Sequence, residues 1–137
     1  MSLDAFAEYY TTRTPIAALV FDNRGHGASE GTPRSEIIPA LQMSDIQDAI
    51  TFAHSLEEVD PQKIALWGYS YSGGHAIQVA AFDRRVKAVL VINPLLNGLE
   101  GSSRLVPALL WPGLYTAFSA GFPQKVSMLM SQTALDV

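Results

Sequence analysis

Residues 63–74, KIALWGYSYSGG, decide the fold, because they join an apolar run of strand length to a turn of small residues and then to a helical pattern. The run at 63–69 is typical of a strand that is buried on both faces in a parallel sheet covered by helices. Residues 71–82 are predicted to be a helix. The turn between a strand and a helix lies at the carboxyl edge of such a sheet, where ligand sites form. The sequence therefore places Ser70 in a cleft.

Other segments of the chain repeat this alternation of helix and strand. Apolar spacing predicts helices at 3–10 and at about 40–56, and continuous apolar runs predict strands at 16–22 (IAALVFD) and 86–93 (VKAVLVIN). Alternation of this kind predicts a parallel sheet with right-handed crossovers. We therefore expect an α/β fold whose sheet has about three strands with flanking helices.

Composition limits the function. The chain has 137 residues, a net charge of −4 and no cysteine, which excludes a disulfide framework, a thiol nucleophile and thiolate metal ligands. The acidic balance argues against a nucleic-acid partner, and the three histidines lack the spacing of metal ligands. Residues 1–13 show no signal peptide, so we expect a cytoplasmic protein. We also expect no metal ion and no cofactor.

One segment has the length of a membrane span. Residues 105–124 are uncharged over 20 positions but contain three prolines and two glycines. This composition favours a buried or groove-lining pair of short helices, broken near Pro112 and Gly113. We expect no membrane association.

The turn around Ser70 has the form that a nucleophilic serine requires. Its neighbours two positions away, Gly68 and Ser72, are small, so the backbone can fold tightly past them. The usual pattern is G-x-S-x-G, and Ser72 replaces its last glycine. The backbone N–H of Tyr71 would begin the helix and point at an oxyanion on an attacked carbonyl. The alternative is that Ser70 or Ser72 caps the helix through its side chain.

The loop NRGHGASEGTPR at 23–34 has a second interpretation, a dinucleotide-binding turn. Gly25 and Gly27 follow a predicted strand, but Glu30 stands where the third glycine belongs. Thr32–Pro33 also intervene where a helix should begin. We therefore expect no cofactor at this loop.

Three segments together resemble the α/β-hydrolase fold: FDNRGHGASEG (21–31), DPQKIALWGYSYSGG (60–74) and DRRVKAVLVINP (83–94). They are most similar to the dienelactone-hydrolase-like and fungal polyketide-transferase or thiohydrolase group. The resemblance covers about residues 3–96. It implies a serine hydrolase or acyl transferase that acts on small ester or thioester substrates, in secondary polyketide metabolism.

The resemblance also assigns residues. It implies that Ser70 is the nucleophile and that the backbone N–H of Tyr71 is one oxyanion donor. It implies that the loop at 23–34 is structural and that Asp22 and Arg24 form a hydrogen-bonded turn within it.

No histidine of the chain is a convincing base for Ser70. His26 is expected in an exposed loop, His54 on a distant helix, and His75 lies five positions after Ser70 on its own helix, without the right approach. In this fold the acid and then the histidine follow the nucleophile along the chain. The acidic residues after Ser70 are Asp83, Glu100 and Asp136, and no histidine follows position 75.

The sequence therefore reads as a central fragment of a hydrolase domain, without the family's first and last strands and without the loop that supplies a second oxyanion donor. We divide residues 1–137, a single truncated domain, into a core (3–96), an apolar lid-like or groove-lining segment (97–124) and an uncharacteristic tail (125–137). Such a chain is expected to be weakly active or inactive. The alternative is a non-catalytic fragment or pseudoenzyme that acts as an interaction or small-molecule binding module.

The resemblance also predicts a gap in the sheet. In the family, a strand from the region that this chain lacks lies between the strands matching 16–22 and 64–69. Two facing strand edges would then have unpaired backbone groups. We expect the gap to be kept, with a marginally stable chain that self-associates through exposed sheet edges.

Overall fold

The computed structural model describes residues 3–97, in which three helices and two strands alternate. Every one of these elements begins and ends within one residue of its predicted position. The elements are α1 (Asp4–Thr11), α2 (Pro39–Ser55), β1 (Ile64–Tyr69), α3 (Tyr71–Phe82) and β2 (Val86–Ile92).

The two strands form a parallel sheet, and α3 connects them. Leu66 of β1 is opposite Val89 of β2, and Gly68 is opposite Val91. The core lies between this sheet and the helices α2 and α3, where Ile50, Ile64 and Val79 are buried together. The parallel α/β arrangement that the sequence predicted is therefore present, with two strands within the described residues.

The prediction of a third strand at residues 16–22 is wrong for the part of the chain that the structure describes. These residues form no strand, and their apolar side chains are exposed; Ile16 and Leu19 are 53% and 47% accessible. An apolar run becomes a strand only when a neighbouring strand pairs with its backbone, and none of residues 3–97 does so. Residues 16–22 also do not pair with β1, so the gap expected from the sequence is kept.

The prediction that both faces of the strands are buried also needs correction. Most of β2 is accessible, including Leu90 at 52%, whereas Ile64 and Gly68 of β1 are buried. The described elements leave much of β2 uncovered, so many of its apolar side chains are exposed. Burial on two faces requires covering layers on both sides of the sheet.

Helix α1 contacts the sheet through one aromatic pair. The ring of Phe6 lies 5.1 Å from the ring of Trp67 on β1. The helix has no fully buried residue, and the Thr12 and Thr14 hydroxyls cover its last carbonyls by donating to Glu8 and Tyr10 at 2.7 Å.

No helix within residues 3–97 is long and apolar enough to cross a membrane. The predicted apolar segment at 105–124 and the tail at 125–137 lie outside the described residues, as do Glu100 and Asp136.

A buried carboxylate joins the end of α3 to α2. Asp83 accepts hydrogen bonds from the Arg85 guanidinium at 2.6 and 2.9 Å, and Arg85 Nη1 donates to the hydroxyl of Thr51 on α2 at 2.7 Å. The hydrogen bonds from Arg85 hold the pKa of the Asp83 carboxyl below its usual 3.8. This network therefore ties the start of β2 to the helix that covers the core.

We predict that Asp83→Asn lowers the free energy of unfolding at pH 7 by about 1.5–3 kcal/mol, the range for hydrogen bonds to a charged group. Because the Asp83 pKa is lowered by folding, its contribution is present above pH 3.8 and is lost as the pH falls through the folded-state value. Urea unfolding of both proteins from pH 7 to pH 3 measures the difference.

Asp60→Asn is the matched control, because Asp60 forms an exposed pair with Lys63 and such pairs contribute little. A loss for Asp83→Asn no larger than that of the control would contradict the role of the network.

Candidate functional site

Ser70 lies where the sequence predicted it, between the last residue of β1 and the first residue of α3. Its backbone has φ 53° and ψ −114°, a conformation that side-chain-bearing residues rarely adopt. The N–H of Ser70 donates to the carbonyl of Ile92 at 2.9 Å, and its carbonyl accepts from the N–H groups of Leu95 at 2.9 Å and Gly73 at 3.1 Å. The strained residue is thus fixed by β2 on one side and by its own helix on the other.

The glycines around Ser70 permit close approach of backbone to backbone. A Cβ at Gly68 would lie 2.6 Å from the Ser72 carbonyl oxygen, and one at Gly73 would lie 3.1 Å from the Pro94 side chain. A Cβ at Gly74 would collide with the Leu95 carbonyl oxygen. Gly68 therefore lets the helix fold back onto the strand, and the two later glycines let the chain after β2 dock on the start of α3.

Neither serine of the turn caps α3 through its side chain, so the capping alternative is wrong. Ser70 is the N-cap residue but forms no side-chain cap hydrogen bond. Ser72 instead accepts a hydrogen bond from the N–H of Tyr69 at 3.0 Å and donates one to the carbonyl of Tyr69 at 2.9 Å. Within residues 3–97 the half-buried Ser70 hydroxyl has no hydrogen-bond partner, which leaves it available to a ligand.

Tyr71 is the first residue of α3, so its N–H has no acceptor within the helix. The described residues offer this N–H no acceptor. The start of a helix also carries partial positive charge. An anion formed on an atom bonded to Ser70 Oγ would be stabilised there.

Each histidine of the described residues has surroundings other than the Ser70 hydroxyl. His75 is buried in α3 with its ring edge-to-face against Tyr71, 4.4 Å between centroids, and burial lowers its pKa below 6.5. His26 Nδ1 is 3.0 Å from the Arg24 carbonyl oxygen, and His54 is exposed on α2. None of the three forms a hydrogen bond with Ser70 in the described part of the chain.

The loop after residue 22 is held together by internal hydrogen bonds, but the predicted turn between Asp22 and Arg24 is wrong. The Asp22 carboxylate accepts from the N–H of Ala28 at 2.9 Å, and Arg24 instead binds Asp45 on α2 at 2.5 Å. A Cβ at Gly27 would collide with the Asp22 carboxylate, so this glycine makes room for it. Asp45 was missed because nothing in the sequence links a helical aspartate to a loop 21 residues earlier.

A cavity of about 450 Å³ within the described residues lies away from the Ser70 turn. It lies between the exposed segment 16–22 and α2 and is lined by Phe21, Arg24, Asp45 and Phe52 among others. Ser70 and Tyr71 do not line it. Residues 3–97 hold no group of three or more histidine, aspartate or glutamate side chains placed to bind a metal ion.

Comparison with known proteins finds relatives for most of the chain. A family model for the α/β hydrolase fold matches residues 17–128. The thiohydrolase apmlB of Arthrinium phaeospermum is 52% identical over 58% of the chain and 26% of its own length. The quorum-quenching protein AidA of Acinetobacter baumannii is 40% identical over 78% of the chain and 35% of its own length. The chain thus spans about a third or less of the curated relatives that it matches.

A solved structure agrees with these relatives. The α/β hydrolase GrgF of Penicillium sp. sh18 superposes with a TM-score of 0.65 at 30% sequence identity, covering 88% of this chain and 42% of GrgF. The likeness therefore extends over most of this chain and less than half of GrgF.

We predict that Gly68→Ala disrupts the turn, because the added methyl group would lie 2.6 Å from the Ser72 carbonyl oxygen and 2.7 Å from Gly73 Cα. Both neighbours are backbone atoms and cannot rotate away. Overpacking of this kind costs about 1–3 kcal/mol, which thermal or urea unfolding would detect. Ala65→Ser adds one heavy atom at an exposed position of the same strand and is the matched control. Equal stability of the two variants would contradict the close approach.

We predict that the unfolding free energy falls as the pH is lowered from above 6.5, because the folded protein binds a proton at His75 less readily than the unfolded chain does. The decrease continues until the pH is below the folded-state pKa. His75→Gln should remove this part of the pH dependence, which urea unfolding between pH 8 and pH 5 would measure. An unchanged slope in His75→Gln would show that another group is responsible.

Proposed function

We propose that this chain, which belongs to the α/β-hydrolase family, uses Ser70 as the nucleophile for hydrolysis or acyl transfer on ester or thioester substrates. One observation carries the proposal: the Ser70 hydroxyl is unpartnered within residues 3–97 and adjoins the free N–H of Tyr71 at the start of α3. The strained backbone of Ser70 supports it, because strain of this kind clusters at functional sites.

The reaction would proceed through an acyl-enzyme. Ser70 Oγ adds to the carbonyl carbon of the substrate while its proton passes to a base, and the Tyr71 N–H donates to the oxyanion that forms. The base then returns the proton to the departing alcohol or thiol as the carbon–oxygen or carbon–sulfur bond breaks. Water releases the acyl group as an acid, or an acceptor hydroxyl takes it in transfer.

The substrate class follows from the relatives. The thiohydrolase apmlB is joined among them by the polyketide transferase claH of Penicillium crustosum, 41% identical over 66% of this chain. On this likeness we propose a polyketide acyl group on a thioester, in secondary metabolism, as the substrate of this chain.

The 137 residues do not supply every group that the reaction needs. No histidine follows His75, and the acid candidate Asp83 lies at the far end of α3 in its pair with Arg85. We therefore propose that this chain alone holds the nucleophile and one oxyanion donor and has little or no turnover. The competing proposal is a non-catalytic binding module, and the lack of a suitable base for Ser70 supports it as well.

A fluorophosphonate probe tests the nucleophile. We predict slow, stoichiometric labelling of Ser70, detected by peptide mass spectrometry, because the probe needs one attack and its phosphoryl oxygen can accept the Tyr71 N–H. Ser70→Ala should abolish labelling. Ser55→Ala, which removes an exposed serine hydroxyl on α2, should leave it unchanged.

Hydrolysis of a p-nitrophenyl ester by the same protein should not exceed that of Ser70→Ala, because release of the acyl group needs the missing base. Absence of any labelling at Ser70 would favour the binding module. Ser70-dependent turnover would instead show that a histidine of this chain, or of a second chain, serves as base.

A further inference from the structure

Ser72 holds both polar backbone groups of Tyr69, the residue before Ser70. Its hydroxyl accepts from the Tyr69 N–H at 3.0 Å and donates to the Tyr69 carbonyl at 2.9 Å. These two bonds close a small ring across Ser70 and Tyr71. A glycine at position 72, as in the usual pattern, would leave both Tyr69 groups without this partner.

The two edges of β1 explain why Tyr69 needs a side-chain partner. The N–H and carbonyl of Ser70 both bond to the chain of β2, through Ile92 and Leu95. Successive residues of a strand direct these groups to opposite edges, so those of Tyr69 point away from β2. No described strand pairs with that edge, and the Ser72 hydroxyl takes its place.

We propose that Ser72 is a positioning residue for Ser70. Its hydroxyl ties Tyr69 to the first turn of α3, while β2 holds the backbone of Ser70 from the other side. The turn at φ 53° is thus clamped from both edges of the strand, and the side chain at position 70 is kept beside the first N–H groups of α3. The role of Ser72 in catalysis rests on the proposed function, whereas its effect on the backbone conformation of Ser70 does not.

The alkylation rate of a thiol at position 70 depends on the geometry of the turn and needs no general base. In the Ser70→Cys protein the helix start should lower the thiol pKa, and the thiolate reacts with iodoacetamide. Adding Ser72→Ala, which removes both hydrogen bonds to Tyr69, should slow alkylation at pH 7 by at least about fivefold, the effect of one such bond, and move the pH midpoint upward. Adding Ser72→Thr, which keeps a hydroxyl, should restore both values, and Ser72→Gly should resemble Ser72→Ala.

Amide hydrogen exchange of the chain with Ser70 intact gives a second measurement. Ser72→Ala should speed exchange at Tyr69 by about fivefold while the Ser70 amide, which bonds to Ile92, keeps its protection. Equal acceleration at both amides, or an unchanged alkylation midpoint, would overturn the proposal and leave Ser72 as a general stabiliser. Failure of fluorophosphonate labelling would reject the nucleophile assignment and leave both of these measurements intact.

Discussion

The pairing of Ser70 with the chain of β2 is the interaction on which the site depends. A residue with a side chain at φ 53° costs about 1–3 kcal/mol and persists only where its surroundings fix it. The bonds to Ile92 and Leu95, both 2.9 Å, do so from the end of β2 and the residues after it, and β2 begins 16 positions after Ser70. The turn at Ser70 is therefore a property of two strands and the helix between them, and the short motif alone does not create it.

Three close approaches explain why small residues surround Ser70, one between β1 and α3 and two between α3 and the chain after β2. Gly68 admits the backbone of α3, Gly73 admits Pro94, and Gly74 admits Leu95. Position 72 does not require glycine, because the turn has room for the Cβ of Ser72, and the Ser72 hydroxyl bonds to Tyr69. A serine in place of the usual glycine is thus compatible with the turn.

Local signals in the sequence were enough for the helices, the two strands and the turn at Ser70. Run length, apolar spacing and small residues act within a few positions, so each could be interpreted without knowing what lies nearby. Residues 16–22 show the limit, because an apolar run lacks strand structure until another backbone pairs with it. The bond from Arg24 to Asp45 and the two bonds of Ser72 depend on three-dimensional placement that no spacing rule supplies.

The contact of Leu95 with Ser70 and Gly74 also orders events during folding. Residues 63–82 can form their strand and helix from local sequence, whereas the hydrogen bond and close approach that fix the turn need the chain after β2. Contacts between segments this far apart in the sequence form after local ones, since loop closure must come first. We therefore expect the geometry of the Ser70 turn to form in a late step of folding, together with the sheet.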